Sequence, residues 1–117
     1  MLVSSLPLEH GARDGRYLVA VAGELDLASV PELRVALEAA AQSGLPVVLD
    51  VSGVTFMDST ALGALLRAND KLAGDGPGLV LVCSGGPVRR LLMLTRLEDR
   101  LTFAPDRATA FARGRDA

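Results

Sequence analysis

The chain has 117 residues, half of them hydrophobic but only 3% aromatic and none of them tryptophan. That is enough for one domain with a core of Leu, Val and Ala, and too little for stacking on bases or sugars. Twelve basic against 14 acidic residues give a net charge of −2, which argues against a general grip on nucleic acid, and the single Cys83 excludes a disulfide framework or a multi-cysteine zinc site.

Residues 2–8 are apolar but hold Pro7, which suits an edge strand. Residues 17–21, Tyr-Leu-Val-Ala-Val, read as a stronger strand, and Asp14-Gly15 between the two carries a hairpin signal. His10, the one histidine, is expected at the surface with no partner. Gly23-Glu24-Leu25-Asp26 ends the second strand. Ser29 and Glu32, three apart around Pro31, fit a capping box at the start of a helix. That helix carries Val30, Leu33, Leu37 and Ala40 on one face, and Gly44-Leu45-Pro46 stops it.

Residues 47–66 are the centre of the chain's organisation. A short buried strand, Val47-Val48-Leu49-Asp50-Val51, leads to a turn at Ser52-Gly53 and a second apolar dip over residues 54–57. A helix follows, with Leu62, Leu65, Leu66, Asn69 and Leu72 at helical spacing, and a glycine-rich break ends it. Leu79-Val80-Leu81-Val82-Cys83 is a continuous apolar run, the pattern of a strand covered on both faces. Ser84-Gly85-Gly86-Pro87 turns into a third helix, with Val88, Leu91, Leu92 and Thr95 along one side and Arg89, Arg90 and Arg96 facing solvent. Leu101-Thr102-Phe103 reads as a last short strand. Asp106 caps a final helix holding Ala108, Phe111 and Ala112, before a polar tail expected to fray.

No linker or internal repeat interrupts this order. The succession β-β-α-β-α-β-α-β-α predicts a single α/β domain over residues 1–117, with a mostly parallel sheet and about four helices. In open sheets of this kind the working site lies beyond the carboxyl ends of the strands. Residues 23–26 and 56–60 both follow strands, so both reach that edge.

Between the apolar dip and the second helix stand Asp58-Ser59-Thr60, an acid and two hydroxyls at a helix start. Such residues are preferred helix caps, and capping alone accounts for Asp58. The three together suit a second role, phosphorylation of Ser59 or Thr60. A phosphate is compatible with the free N–H groups of a helix start, so the domain stays folded, while about 1.5 to 2 added negative charges repel a docked partner. Catalysis fits poorly. A serine nucleophile needs a neighbouring base, and Met57-Asp58-Ser59-Thr60-Ala61 is not a G-x-S-x-G elbow. No phosphate-cradling G-x-x-x-x-G-K-[ST] occurs, and the acidic pair of a phospho-aspartate site is missing beside Asp26, Asp50 and Asp58. No catalytic residue, metal or cofactor is therefore expected. No apolar run reaches the roughly 18 residues of a membrane span, and no signal peptide is evident, so a soluble, cytoplasmic domain without membrane insertion is expected.

Gly23-Glu24-Leu25-Asp26 and Phe56-Met57-Asp58-Ser59-Thr60-Ala61-Leu62-Gly63, at this spacing, resemble the STAS domain family. The likeness is greatest to its stand-alone anti-sigma factor antagonists, and it covers nearly the whole chain. Val88-Arg89-Arg90-Leu91-Leu92 also sits where that family has its third helix. The resemblance implies a STAS-type mostly parallel sheet with four helices and a non-enzymatic regulatory role. The unphosphorylated antagonist would bind an anti-sigma factor serine kinase and free the sigma factor. The kinase would end this by phosphorylating the hydroxyl after the Asp, here Ser59, and a serine phosphatase would reset it. Asp26 and Asp58 match family acids beside the phosphorylated residue, and with Glu24 and Thr60 they are expected to form the partner surface. One departure is Ala61, where many members have Gly. Ala favours the helix by roughly 1 kcal/mol and is expected to narrow access by one methyl.

The same fold admits other roles. Members of the family also serve as subunits of lipid-transport ABC systems and as scaffolds in stress signalling, where the same surface would hold an ATPase subunit or a neighbouring scaffold domain. A small nucleotide-binding enzyme or sensor is a third reading, which predicts saturable nucleotide binding by the isolated domain.

Overall fold

Asp14 and Gly15 both take positive φ, 52° and 80°, so the two-residue turn that they form has the mirror-image twist that joins antiparallel strands. It connects β1 (Leu8–Arg13) to β2 (Arg16–Leu25), with Arg13 opposite Arg16 and Leu8 opposite Val21. These assignments come from a computed structural model that describes residues 6–75 and 78–112. The first strand is therefore shifted from the expected residues 2–8, of which 2–5 lie outside the described residues. A tight turn forces the residues beside it to pair whatever their polarity, and β1 is mostly exposed, so its side chains carry little hydrophobic pattern. The strand begins just past Pro7, whose carbonyl accepts the Ala22 N–H at 2.9 Å. His10 is exposed but not alone: its Nδ1 lies 2.5 Å from the Tyr17 hydroxyl on the paired strand.

α1 (Val30–Ser43), β3 (Val47–Met57), α2 (Ser59–Asp75), β4 (Leu79–Val82), α3 (Gly86–Leu94), β5 (Thr102–Ala104) and α4 (Arg107–Ala112) complete the order expected from the sequence, with one turn of 3-10 helix at Glu98–Arg100. The five strands lie in the sequential order β1-β2-β3-β4-β5, antiparallel at the first pair and parallel thereafter. β1 takes the edge.

Strand side chains alternate between faces. Val19, Val21, Val47, Leu49, Leu79 and Leu81 pack with α1, α2 and α3 in one core. Leu18, Val48, Val82 and Ala104 point the other way, against Ala110 and Phe111 of α4. β4 is thus covered on both faces, as its unbroken apolar run predicts.

The turn expected at Ser52-Gly53 is a bulge inside an unbroken strand. Pairing of β2 with β3 shifts register twice, between Ala20 and Ala22 and between Gly23 and Glu24. At Gly53 the strands approach so closely that a Cβ would stand 2.8 Å from that of Ala22, so glycine is required there. The polar, glycine-containing dip in the pattern reflects exposure and close approach, and the chain does not reverse.

Other local expectations need correction. Ser29 stands at the start of α1 but makes no side-chain cap bond, and Glu32 accepts the Leu6 N–H at 3.2 Å, so no capping box forms. Arg89 does not lie out in solvent. It sits 4.1 Å over the Phe103 ring and pairs with Glu98 at 3.3 Å, while Arg90 and Arg96 are exposed as expected. Thr95 faces solvent, its hydroxyl donating to the Leu91 carbonyl at the end of α3. In α4 Phe111 packs as expected, half-buried beside the fully buried Ala110, while Ala108 and Ala112 are exposed. Asp106 does cap that helix, its Oδ1 accepting the Thr109 N–H at 2.8 Å. Gly44 closes α1 in the left-handed conformation, φ 73°. The tail expected to fray, residues 113–117, lies outside the described residues.

Candidate functional site

β2 and β3 run parallel and end together, with Glu24 opposite Phe56 and Leu25 opposite Met57. The chain leaves both strands at the carboxyl edge of the sheet, so the β2–α1 loop and the start of α2 meet there. The Asp58 N–H donates to the Leu25 carbonyl at 3.0 Å, continuing the ladder one step past β3.

Asp58 is the joint between the two loops. Its Oδ1 accepts the Ala61 N–H at 2.9 Å, capping α2, and its Oδ2 accepts the Leu27 N–H at 3.1 Å across the gap. One carboxylate therefore starts a helix and fixes a loop from another strand. Its main-chain carbonyl also takes the Leu62 N–H at 3.0 Å.

The β2–α1 loop is held from within as well. Asp26 Oδ1 accepts the N–H groups of Ala28 (3.0 Å) and Ser29 (3.2 Å). The Ser29 hydroxyl donates to the Glu24 carbonyl at 2.9 Å and accepts the Asp26 N–H at 3.0 Å, which explains why it does not cap α1. Asp26 thus reaches the expected edge, but its carboxylate is bound to its own loop. Glu24 is exposed one residue before the end of β2.

Ser59 is the first residue of α2 and is exposed; Thr60, next to it, is half-buried. First-turn N–H groups have no partner inside the helix, and Asp58 takes that of Ala61, leaving those of Ser59 and Thr60 without an intrahelical acceptor. Among the described residues no side chain bonds the Ser59 hydroxyl, and the one imidazole, His10, is engaged with Tyr17 on the β1–β2 hairpin. Ala61 is fully buried, so its methyl packs into the core and does not narrow access as expected from the sequence.

Two residues that the motif reading did not single out as partner contacts belong to this edge. Leu27, at the loop apex, is 71% exposed, and Phe56, opposite Glu24, is 49% exposed. Their signals were faint: an apolar residue inside the polar turn Asp26-Leu27-Ala28-Ser29, and one of only three Phe in the chain. Exposed apolar side chains beside a tethered loop are the material of a protein–protein contact.

The third acid considered with these, Asp50, is not part of the site. It sits mid-strand on the α4 face, paired with Arg107 at 2.6 Å. A cleft of about 430 Å³ on that face is bordered by Ala22, Asp50, Gly53 and Arg107 and shares no residue with the Ser59 edge. Among the described residues no cluster of three or more His, Cys, Asp or Glu could hold a metal ion. No helix there is long and apolar enough to cross a membrane. Cys83 is buried, and burial pushes its thiol up from its ordinary pKa, against a smaller opposing effect of Arg89.

Comparison with known proteins identifies the family and the fold. The anti-sigma-B factor antagonist of Staphylococcus aureus is 32% identical over 96 residues, spanning 81% of this chain and 89% of that protein. The crystal structure of an anti-sigma factor antagonist from Mycobacterium paratuberculosis superposes with a TM-score of 0.82 at 31% identity, covering 91% of each chain. SpoIIAA, an anti-sigma factor antagonist solved in its unphosphorylated form, shares the fold at a TM-score of 0.74 and 22% identity, over 97% of this chain and 98% of its own. The STAS domain model matches residues 9–110, which take in every strand but the first residue of β1 and both loops of the Ser59 edge, and the chain belongs to the STAS domain family.

Proposed function

We propose that this chain is an anti-sigma factor antagonist, switched by phosphorylation of Ser59 and acting in the cytoplasm on sigma-factor-dependent transcription. The observation that carries the reading is an exposed serine at the first position of α2, beside the exposed Leu27 that Asp58 ties to the same helix start. The names of its relatives supply the class of partner, an anti-sigma factor. The kinase that modifies Ser59 would be that same partner, and a serine phosphatase would remove the phosphate.

The unmodified surface offers Leu27 and Phe56 as apolar anchors at the edge that also carries Glu24, Asp26, Asp58 and Thr60. A kinase domain that covers it brings its active site onto the Ser59 hydroxyl. Transfer adds about 1.5 to 2 negative charges next to Asp58, where they meet like-charge repulsion and must be desolvated if the partner stays. The fold has no reason to change, because the phosphate stands outside the core at a position whose free N–H groups favour an anion. In this reading the protein does no chemistry of its own; its hydroxyl is the substrate.

Affinity capture with wild type, Ser59→Ala and Ser59→Asp tests this, followed by kinase assay of the retained ATPase and mapping of the phosphate. Wild type and Ser59→Ala are expected to retain the same kinase, only wild type to take up phosphate, and Ser59→Asp to bind at least about tenfold more weakly. Phosphate mapped to Thr60, or equal retention of all three variants, overturns the assignment. Capture of transporter subunits would place the same surface in a lipid-transport system.

A further inference from the structure

Ser59, Gly63 and Arg67 stand four residues apart in succession along one face of α2. Gly63 is the middle step, and its missing side chain is used: a Cβ there would lie 3.3 Å from Nη1 and 3.8 Å from Nη2 of Arg67. The Arg67 side chain therefore runs back along the helix toward its N-terminus and rests over Gly63, the direction that long helical side chains favour. Arg89, Arg100 and Arg107 each pair with a carboxylate, whereas Arg67 has none within ion-pair distance among the described residues. A guanidinium held one turn from Ser59 lacks a counter-charge.

Cβ atoms four residues apart on a helix are about 5–6 Å from one another. A phosphoryl group on Ser59 extends beyond its own Oγ, so its oxygens come within reach of a guanidinium lying over Gly63. We propose that Arg67 is the counter-charge for a phosphate on Ser59, and that Gly63 is the gap through which it arrives. The inference rests on Ser59 being the phosphorylated residue and adds how the modified state is held. A free phosphoserine loses its second proton near pH 6, and a guanidinium favours the doubly charged form. Arg67 thus holds the phosphate in its doubly charged form as pH falls toward about 6, while its own positive charge offsets part of the field outside.

The other charged groups near this face sort simply. Asp58, Asp26 and Glu24 at the sheet edge oppose the second ionisation. On α1, Arg34 lines the same groove as Arg67, while Glu38 pairs with Lys71 of α2 at 3.8 Å. Arg34 has no shared glycine to lie over and serves as the control.

The test needs no kinase. Protein carrying phosphoserine at position 59, installed during translation, is titrated by phosphorus NMR as wild type, Arg67→Gln, Arg67→Lys, Gly63→Ala and Arg34→Gln. Loss of the guanidinium is expected to raise the second pKa of the phosphate by roughly half a unit. Lys restores part of the shift. Gly63→Ala keeps the charge but fills its path, so its value should lie between wild type and Arg67→Gln, while Arg34→Gln stays at wild type. Equal pKa values in wild type and Arg67→Gln overturn the proposal, and a wild-type value in Gly63→Ala overturns the role of the gap. Because the phosphate is placed by translation, a kinase that ignores Ser59 would sink the proposed function without touching this result.

Discussion

Asp50 and Asp58 lie on and just beyond the same strand, eight residues apart, and their surroundings use the same side chain in opposite ways. Asp50 sits in the middle of β3 beneath α4, its carboxylate accepting the N–H of Ser52 (3.0 Å), the Ser52 hydroxyl (2.5 Å) and Nε–H of Arg107 (2.6 Å). Burial alone would push its carboxyl up. The Ser52 bonds and the Arg107 guanidinium outweigh that and hold it below the usual carboxylate value. Asp58 accepts only main-chain N–H groups, from Leu27 and Ala61, and no cation pairs with it among the described residues. A charge answered by a side chain stabilises the fold; a charge answered only by backbone dipoles shapes two loops and still faces outward. The first acid belongs to the architecture, the second to the surface proposed to meet a partner.

The comparison can be broken most directly at Asp50. Asp50→Asn is expected to cost about 2 kcal/mol in urea unfolding, a figure held down because Arg107 is 41% exposed and can rehydrate, and to leave partner capture unchanged. The cost should depend on pH. Because the folded-state pKa of Asp50 is depressed, its contribution is complete above about pH 4 and disappears as pH falls through the folded value, so the two unfolding curves should converge in acid. A variant that loses partner binding at neutral pH while folding normally would contradict the assignment.

Asp58→Ala should cost less stability, about 1 kcal/mol for the lost cap, and much more function. Hydrogen exchange of the Leu27 and Ala61 amides should accelerate together, since one carboxylate holds both. Asp58→Asn keeps a single acceptor oxygen, enough to cap α2, but sets an NH2 against the other main-chain N–H, so it should recover the cap stability while the Leu27 amide still exchanges fast. Independent behaviour of the two amides in Asp58→Ala would show that the loops are not coupled through this residue.

Leu27→Ser gives the smallest effect on folding, within about 0.5 kcal/mol by thermal or urea melt, because the side chain is 71% exposed. Its effect on the captured kinase should be at least about tenfold in affinity, measured by calorimetry. Unchanged affinity would remove Leu27 from the contact surface and leave Ser59 and its acids as the whole of it.

Much of this molecule could be read in advance where one short segment carries both cause and effect. Asp14-Gly15 implied a hairpin, Gly44 a helix end, and Asp58 and Asp106 helix starts, because each acts on backbone within three residues. The meeting of residues 23–26 with 56–60 was also legible, since parallel strands must deliver their following loops to one edge. Ser29 and Glu32 had the right spacing for a capping box and did not form one, as the Glu24 carbonyl and the Leu6 N–H offered better partners. Ser52-Gly53 looked like a turn because bulge and turn favour the same residues.

Local propensity and alternation of apolar residues were sufficient for the order of elements, the mostly parallel sheet and the exposed hydroxyl at a helix start, since all of these depend on neighbours along the chain. Packing across the fold made the remaining choices. It joined Asp50 to Arg107 over 57 residues, laid Arg89 on Phe103, turned the Ala61 methyl into the core and left Leu27 outside it. Each of those outcomes is a competition for the same buried space or the same donor among residues far apart in the chain, and no local pattern records which competitor wins.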